Sequence, residues 1–279
     1  MDQGIIFLIV LGIVWIFFAT IQDFKKREVA NWLNFSLIVF ALGGRFFYSL
    51  FSGNGFAFFY QGLVGLGIFF LLGNFFYYIR VFAGGDAKLM IALGAILPFS
   101  NNFLTNLKFY AFFLGIFFIT GAIYGLIYSI ILSLKNIKKL KKEFSKQFKL
   151  NKRIVRISLI ISLFVICLGF LENIFIYVGL LIFAYPFLYL YAKSIEEGVM
   201  ILNVSVSKLT EGDWLYEDLK IGKKVIRANW DGLSKEDIRE IKKKLKEVKI
   251  KQGIPFVPSF LLGFIATLIF GNLLLYFFI

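Results

Sequence analysis

Two aspartates have the residue type and placement best suited to chemistry: Asp23, in Gln22-Asp23-Phe24-Lys25-Lys26-Arg27, and Asp86, in Ala83-Gly84-Gly85-Asp86-Ala87-Lys88. Each lies where a long apolar run meets a polar turn, and only Asp2 and Glu28 accompany them as acids in the first 130 residues. Acids beside a bilayer are costly to place and tend to serve a function. Two carboxyls brought together do not both ionise easily: one keeps its proton and serves as acid, while the other polarises a water as base. The water can then attack a peptide carbonyl while the neutral carboxyl donates to the developing oxyanion, a scheme that needs neither metal nor cofactor. Gly84 and Gly85 would let the backbone turn sharply and bring a substrate close to Asp86. Lys25, Lys26, Arg27 and Lys88 could contact substrate or lipid head groups, or tune the acids. A structural reading stands beside the catalytic one, with Asp86 as the N-cap of a following helix and Asp23 as an interfacial acid paired with Lys26 or Arg27.

The elements that must position these acids are membrane spans. The chain is 59% hydrophobic with a mean hydropathy of +0.80 and 37 phenylalanines, far above a soluble domain. With no histidine, Ser-His-Asp and Cys-His catalysis and His-ligated metals are excluded. A single cysteine, Cys167, leaves no internal disulfide or Cys-cluster zinc site and reads as a small buried apolar residue. A span needs about 20 mainly apolar residues. About eight such runs are present, near Gly4–Ile21, Leu33–Phe51, Phe56–Ile79, Ala87–Leu104, Phe109–Leu134, Ile154–Leu171, Ile174–Tyr191 and Ile254–Phe278. The first lacks a basic leader and an Ala-x-Ala site and reads as a retained span. The fourth is the weakest, since Pro98 kinks or ends it. The sixth and seventh are separated only by Glu172-Asn173 and form a hairpin or a broken helix.

Basic residues orient the chain. With the N-terminus outside, only Arg45 and Lys108 of the 31 Lys and Arg fall away from cytoplasmic segments, as the positive-inside rule requires. Asp23 and Asp86 then share the cytoplasmic face. The net charge of +14 is explained by this topology and by attraction to anionic lipid, and no motif for nucleic-acid binding accompanies it.

The expected organisation is a membrane core over 1–134, a basic cytoplasmic loop over 135–153, an additional membrane hairpin over 154–192, a small soluble cytoplasmic α+β domain over 193–252 and a final span over 253–279. In the basic loop, Ile137, Leu140, Phe144 and Phe148 recur at helical spacing among lysines, which fits an amphipathic helix on the membrane surface or a solvated connector. In the soluble module, strands are expected in Met200–Leu209, Ile221–Ile226 and Val248–Ile250, with a turn at Gly212-Asp213-Trp214. A helix is expected to start at Ser234-Lys-Glu-Asp237 with a capping box and to bury Ile238, Ile241 and Leu245. The module's aspartates, Asp213, Asp218, Asp231 and Asp237, adjoin no apolar span and read as solvated surface.

The Asp23 segment followed by Asn31-Trp32-Leu33, and Gly84-Gly85-Asp86-Ala87-Lys88 with a short helix ending at Pro98, resemble the type IV prepilin peptidases, above all their archaeal prepilin and preflagellin branch. Leu209-Thr-Glu-Gly-Asp-Trp214, Gly232-Leu-Ser-Lys-Glu236 and Gly253-Ile-Pro-Phe-Val-Pro-Ser-Phe-Leu261 are similar to the C-terminal part of that branch. The resemblance implies a Gly-x-Gly-Asp membrane aspartic endopeptidase, with Asp23 and Asp86 as the catalytic pair. It further implies removal of a short basic leader, at the cytoplasmic membrane edge, from pilin-like or archaellin precursors whose apolar helix docks among the spans. The first glycine of Gly-x-Gly-Asp is Ala83 here, which bears on the local turn and not on the aspartate. Ala30 stands where many bacterial relatives have proline. The Cys-rich loop of many bacterial enzymes is missing, so their N-methyltransferase activity is not expected. Three alternatives rank lower, one of them a non-catalytic assembly component of a pilus machine. A presenilin or signal-peptide-peptidase type of protease would place both acids in mid-membrane and carry Pro-Ala-Leu. A proton- or cation-coupled transporter would place acids deep within spans of repeated halves.

Overall fold

The structure is a computed structural model that describes residues 2–53, 55–221, 224–230 and 232–278, with side chains described to residue 271. It is mostly helical and forms two compact units: Met1–Ile127 with Ile254–Ile279, and Tyr128–Gly253.

The first unit contains α1 (Gln3–Lys26), α2 (Asn31–Phe51), α3 (Ala57–Tyr78), α4 (Gly84–Gly94), most of α5 (Phe103–Lys135) and α10 (Val257–Phe278). The Asp2 side chain caps α1 by accepting the Gly4 N–H at 3.0 Å. At its other end Arg27 takes a left-handed conformation, φ 57°, and its N–H closes on the Asp23 carbonyl. Among the described residues, six helices are long and apolar enough to cross a membrane: α1, α2, α3, α5, and the two long helices of the second unit.

The segment expected as a fourth span is not one continuous helix. α4 has 11 residues, about 16 Å at 1.5 Å per residue, roughly half of a 30 Å hydrocarbon core. It lies antiparallel to α3: the Ala87 carbonyl meets Gly73 near the end of α3, and Gly94 meets Gly65 near its start. The chain then runs on without helix through Ala95–Pro98 to the level of Phe58, at the beginning of α3. Non-helical backbone at membrane depth is tolerated only where its polar groups are satisfied inside the protein. The N–H groups of Ala95, Ile96 and Leu97 turn back to Ala92 and Leu93, and Arg45 of α2 takes the carbonyls of Ala95, Ile96 and Pro98. Fully buried, it donates to the carbonyls of Ala95 (2.8 Å), Ile96 (3.1 Å), Pro98 (2.6 Å) and Phe58 (2.9 Å), and stacks over the Phe58 ring. A mid-helix arginine costs about 3 kcal/mol to insert. Leaving several buried carbonyls without donors costs about 1–3 kcal/mol each, so the arginine is the cheaper arrangement. The loop before α5 is tied by Asn106, whose amide donates to Gln61 and to the Ser100 carbonyl.

The second unit holds α6 (Ile137–Leu150), α7 (Lys152–Cys167), α8 (Ile174–Ser194) and a π-helical turn over Ile195–Val199. α7 and α8 form the hairpin expected around Glu172-Asn173, and Ser162 bonds the Gly179 carbonyl at their closest approach. Cys167 is exposed on this hairpin rather than buried; an apolar face turned to lipid needs no burial. α6 is helical as its spacing indicates, with Leu140 and Phe144 of its apolar stripe half-buried. Its contact line is Lys139, Glu143 and Gln147, with Glu143 against Gly198 of the π turn. Ile137 and Phe148 remain exposed.

The chain continues through β1 (Ile201–Ser205), β2 (Trp214–Leu215), β3 (Leu219–Ile221), β4 (Lys224–Ile226), α9 (Lys235–Lys244) and β5 (Glu247–Lys251). β5 is central in an antiparallel sheet of order β1-β5-β2, with Val204 opposite Val248. β3 and β4 pair separately; the expected strand Ile221–Ile226 is thus split, and Gly222 and Lys223 between its halves lie outside the described residues. The capping box at Ser234 is present, with Asp237 accepting the Ser234 N–H and hydroxyl. Ile238 and Ile241 are buried, but Leu245 is not, because it follows the last helical residue in extended conformation. The module's aspartates have local structural work. Asp213 accepts the Thr210 N–H and Asp218 the Ala228 N–H; Asp231 lies outside the described residues. Two segments quoted above for their resemblance meet here, since the Gly212 N–H donates to the Leu233 carbonyl and the Leu233 N–H to the Asp213 carbonyl.

Candidate active site

Asp23 sits one turn from the end of α1 and is buried, 6% exposed. Its Oδ2 accepts the backbone N–H of Val257 at 2.9 Å, across 234 residues of sequence. The Phe256 N–H faces the same carboxylate, and the Arg27 charge acts on it. The chain between α1 and α2 is set by Gln22, whose Oε1 accepts the Ala30 N–H at 3.0 Å. Ala30 has φ −63°, the angle that proline would impose.

Asp86 is the third residue of α4, not its N-cap: Ala83 holds the cap position, and Asp86 Oδ2 reaches back to the Ala83 N–H at 3.3 Å. Protein atoms surround Asp86 densely, yet it keeps partial access to solvent. Its carboxyl is pushed up to about 7, first by burial and then by the Asp23 carboxylate. The charge on Asp23, 63 positions away in sequence, thus reaches Asp86.

Gly84 and Gly85 do not make a sharp turn. Both lie in the first turn of α4, and neither has the positive φ found at Gly53 or Gly212. What they supply is bare backbone: a Cβ on Gly85 would rest 3.4 Å from the Val29 nitrogen, and Gly84 has only the Tyr77 ring near it, at 3.9 Å. Lys88 is turned to α2, where its Nζ donates to Asn31 Oδ1 at 2.7 Å, so it braces α4 against the start of α2. Lys25 and Lys26 are exposed on the last turn of α1.

Sequence reasoning missed two contributors. Arg45 stood out only as one of two basic residues away from the cytoplasmic segments. The donors at Phe256 and Val257 lie in a segment flagged for resemblance, but a backbone N–H leaves no mark in residue identity.

The model of the type IV leader peptidase family matches residues 10–130, a stretch containing both aspartates and Arg45. The chain is 33% identical over 92 residues to a preflagellin peptidase of Methanocaldococcus jannaschii, covering 33% of this chain and 38% of that protein. It is 28% identical over 122 residues to a preflagellin peptidase of Methanococcus maripaludis, covering 41% of this chain and 52% of that protein. The matched region is thus about two fifths to one half of these relatives' length. No solved structure matches the chain. The likeness to archaeal prepilin and preflagellin peptidases read from the sequence is supported by these matches.

Proposed function

We propose that this protein, whose residues 10–130 carry the type IV leader peptidase pattern, is a membrane aspartic endopeptidase. It removes a short basic leader from pilin-like or archaellin precursors at the cytoplasmic face of the membrane. The observation that supports this reading is that the charge on Asp23, buried at the end of α1, acts on the Asp86 carboxyl. In the reaction one carboxylate of the pair takes a proton from a water as that water attacks the scissile carbonyl. The other, protonated, donates to the carbonyl oxygen as it becomes an oxyanion, and on collapse the proton taken from the water passes from the first carboxyl to the leaving amine. The first turn of α4, with no side chain at Gly84 or Gly85, leaves room for an extended substrate backbone beside Asp86.

Like charges oppose a basic leader lying along Lys25, Lys26 and Arg27. Those residues fit anionic head groups better, at about 1 kcal/mol each near the surface, and exposed Glu28 is the neighbouring acid suited to a leader lysine. Anionic lipid is also the partner that α6 fits. This helix joins α5 to α7, both apolar enough to span, through one residue at each end. Its exposed Ile137 and Phe148 and half-buried Leu140 and Phe144 are interleaved with lysines, the pattern of an interfacial helix.

The test is cleavage of a precursor panel, in membranes, by wild type, Asp23→Asn and Asp86→Asn. Both substitutions are expected to lower the rate by about 100-fold or more while leaving the protein folded. Near wild-type cleavage by either variant would make that aspartate structural and overturn the mechanism.

A further inference from the structure

We propose that the start of α10 belongs to the active centre: the Val257 N–H holds Asp23 as the ionised member of the pair, which makes Asp23 the base and Asp86 the acid. This rests on the proposed peptidase activity and goes beyond it by assigning the two carboxyls different roles and by naming a positioning residue outside the family-matched segment 10–130.

The donors of the first turn of α10 can be followed one by one. The first N–H groups of a helix have no intrahelical partner. Val257 is the first helical residue, and its N–H goes to Asp23 Oδ2 at 2.9 Å. Pro258 has no N–H to give. The Ser259 N–H turns back to the Phe256 carbonyl at 3.0 Å. The free donor of this turn, together with the Phe256 N–H, is therefore directed at one carboxylate, at the positive end of an apolar helix where an anion is favoured. The donor is held rigidly. Val257 is 1% exposed, and the Phe256 ring packs against Phe82 and Phe117 at 5.9 Å.

The charged groups acting on Asp23 are Arg27 from α1 and Asp86 from α4. Burial opposes charge on Asp23, and against it act first the Val257 N–H, then Arg27 and the Phe256 N–H. Asp86 has a weaker claim to charge, with one N–H at 3.3 Å, beyond the usual range for such bonds. Where one carboxyl's charge disfavours the other's, the proton stays where the anion is least supported, which is Asp86. The geometry thus breaks the symmetry of the pair before substrate arrives.

The experiment compares Val257→Pro with Val257→Ala in the full-length protein. Proline is tolerated at the first helical position and removes only the N–H; alanine trims the side chain and keeps the donor. In Val257→Pro, kcat is expected to fall about tenfold with KM retained. The low-pH limb of its rate profile should move up by about one pH unit, because a base without its donor protonates earlier. Val257→Ala should keep the limb at its wild-type position. An unmoved limb in Val257→Pro, or an equal movement in both variants, would overturn the assignment. A second readout needs no precursor: in the Asp86→Asn background, the infrared carboxyl band of the remaining buried acid should titrate at higher pH once Val257→Pro is added. If wild type cleaves no precursor, the peptidase reading fails, and the infrared titration still decides whether Val257 holds Asp23 ionised.

Discussion

α1 of the first unit and the α7–α8 hairpin of the second are both strongly apolar, with mean hydropathies of 2.8, 2.2 and 2.0, yet they are used in different ways. In α1, 39% of the spanning window is buried, against 11% and 17% in the hairpin helices. Lipid is as apolar as leucine, so burial inside a membrane protein is not driven by removal from water. It is driven by close backbone approach and by polar groups that need partners. The first unit has both: Gly65 against Gly94, Arg45 on four carbonyls, and Asp23 on Val257. The hairpin has fewer: Ser162 meets Gly179, Gly169 meets Ile176, and the Tyr191 hydroxyl bonds Ser129 and Ser133, while Leu163, Phe164, Leu181 and Leu188 face outward. Hydropathy selects what enters the bilayer; glycine and polar residues select what is packed.

Several substitutions can break or sharpen this contrast. The largest stability effect is expected from Arg45→Met, which leaves the carbonyls of Ala95, Ile96, Pro98 and Phe58 without their donor. A loss of about 3 kcal/mol or more is expected in detergent unfolding. Arg45→Lys should recover little, because an ammonium cannot span carbonyls placed for a planar fork.

A pH effect should come next, at about 1 kcal/mol per pH unit crossed. Asp86 binds its proton more tightly in the folded state, where it titrates at about 7, than in the unfolded state, near 4. Its contribution to stability is full below about 4, falls as pH rises through 7, and then levels off. Asp86→Asn should flatten that slope in a pH series of melting temperatures, and the wild-type cleavage rate should decline above about pH 7 as the acid is lost.

Gly94→Ala should cost about 1–3 kcal/mol, since its Cβ would come within 2.5 Å of the Gly65 carbonyl oxygen and Phe69 Cβ; thermal unfolding would measure it. The smallest effect belongs to the hairpin's outer face. Leu163→Ile, at a site 65% exposed, should change the melting temperature by an amount equivalent to less than about 0.5 kcal/mol. A large loss there would mean that this face is packed against protein and would remove the contrast.

Much of the architecture was readable in residue order because it depends on local properties. Apolar runs marked the long helices, Ser234 and Asp237 marked a capped helix, and Glu172-Asn173 marked the hairpin turn. Pro98 signalled that the fourth run was unusual, but not that it was a short buried helix completed by irregular backbone. Asp23 and Asp86 stood out because an acid in an apolar context is conspicuous. Gly84 and Gly85 were misjudged as a sharp turn because glycine permits positive φ without requiring it. Leu245 was misjudged because helical spacing alone does not show where a helix ends.

By itself, then, the sequence determined which segments are apolar enough for a membrane, which two acids adjoin them, and where several helices start. These follow from side-chain transfer energies and capping chemistry acting within a few residues. The tertiary structure alone decided that Arg45 closes the broken fourth segment, that Lys88 braces α4 on Asn31, and that Asp23 meets a main-chain donor from α10. Hydrogen bonds between groups 50 to 234 residues apart depend on where the packed helices bring those groups, and backbone donors and acceptors are the same in every residue except proline.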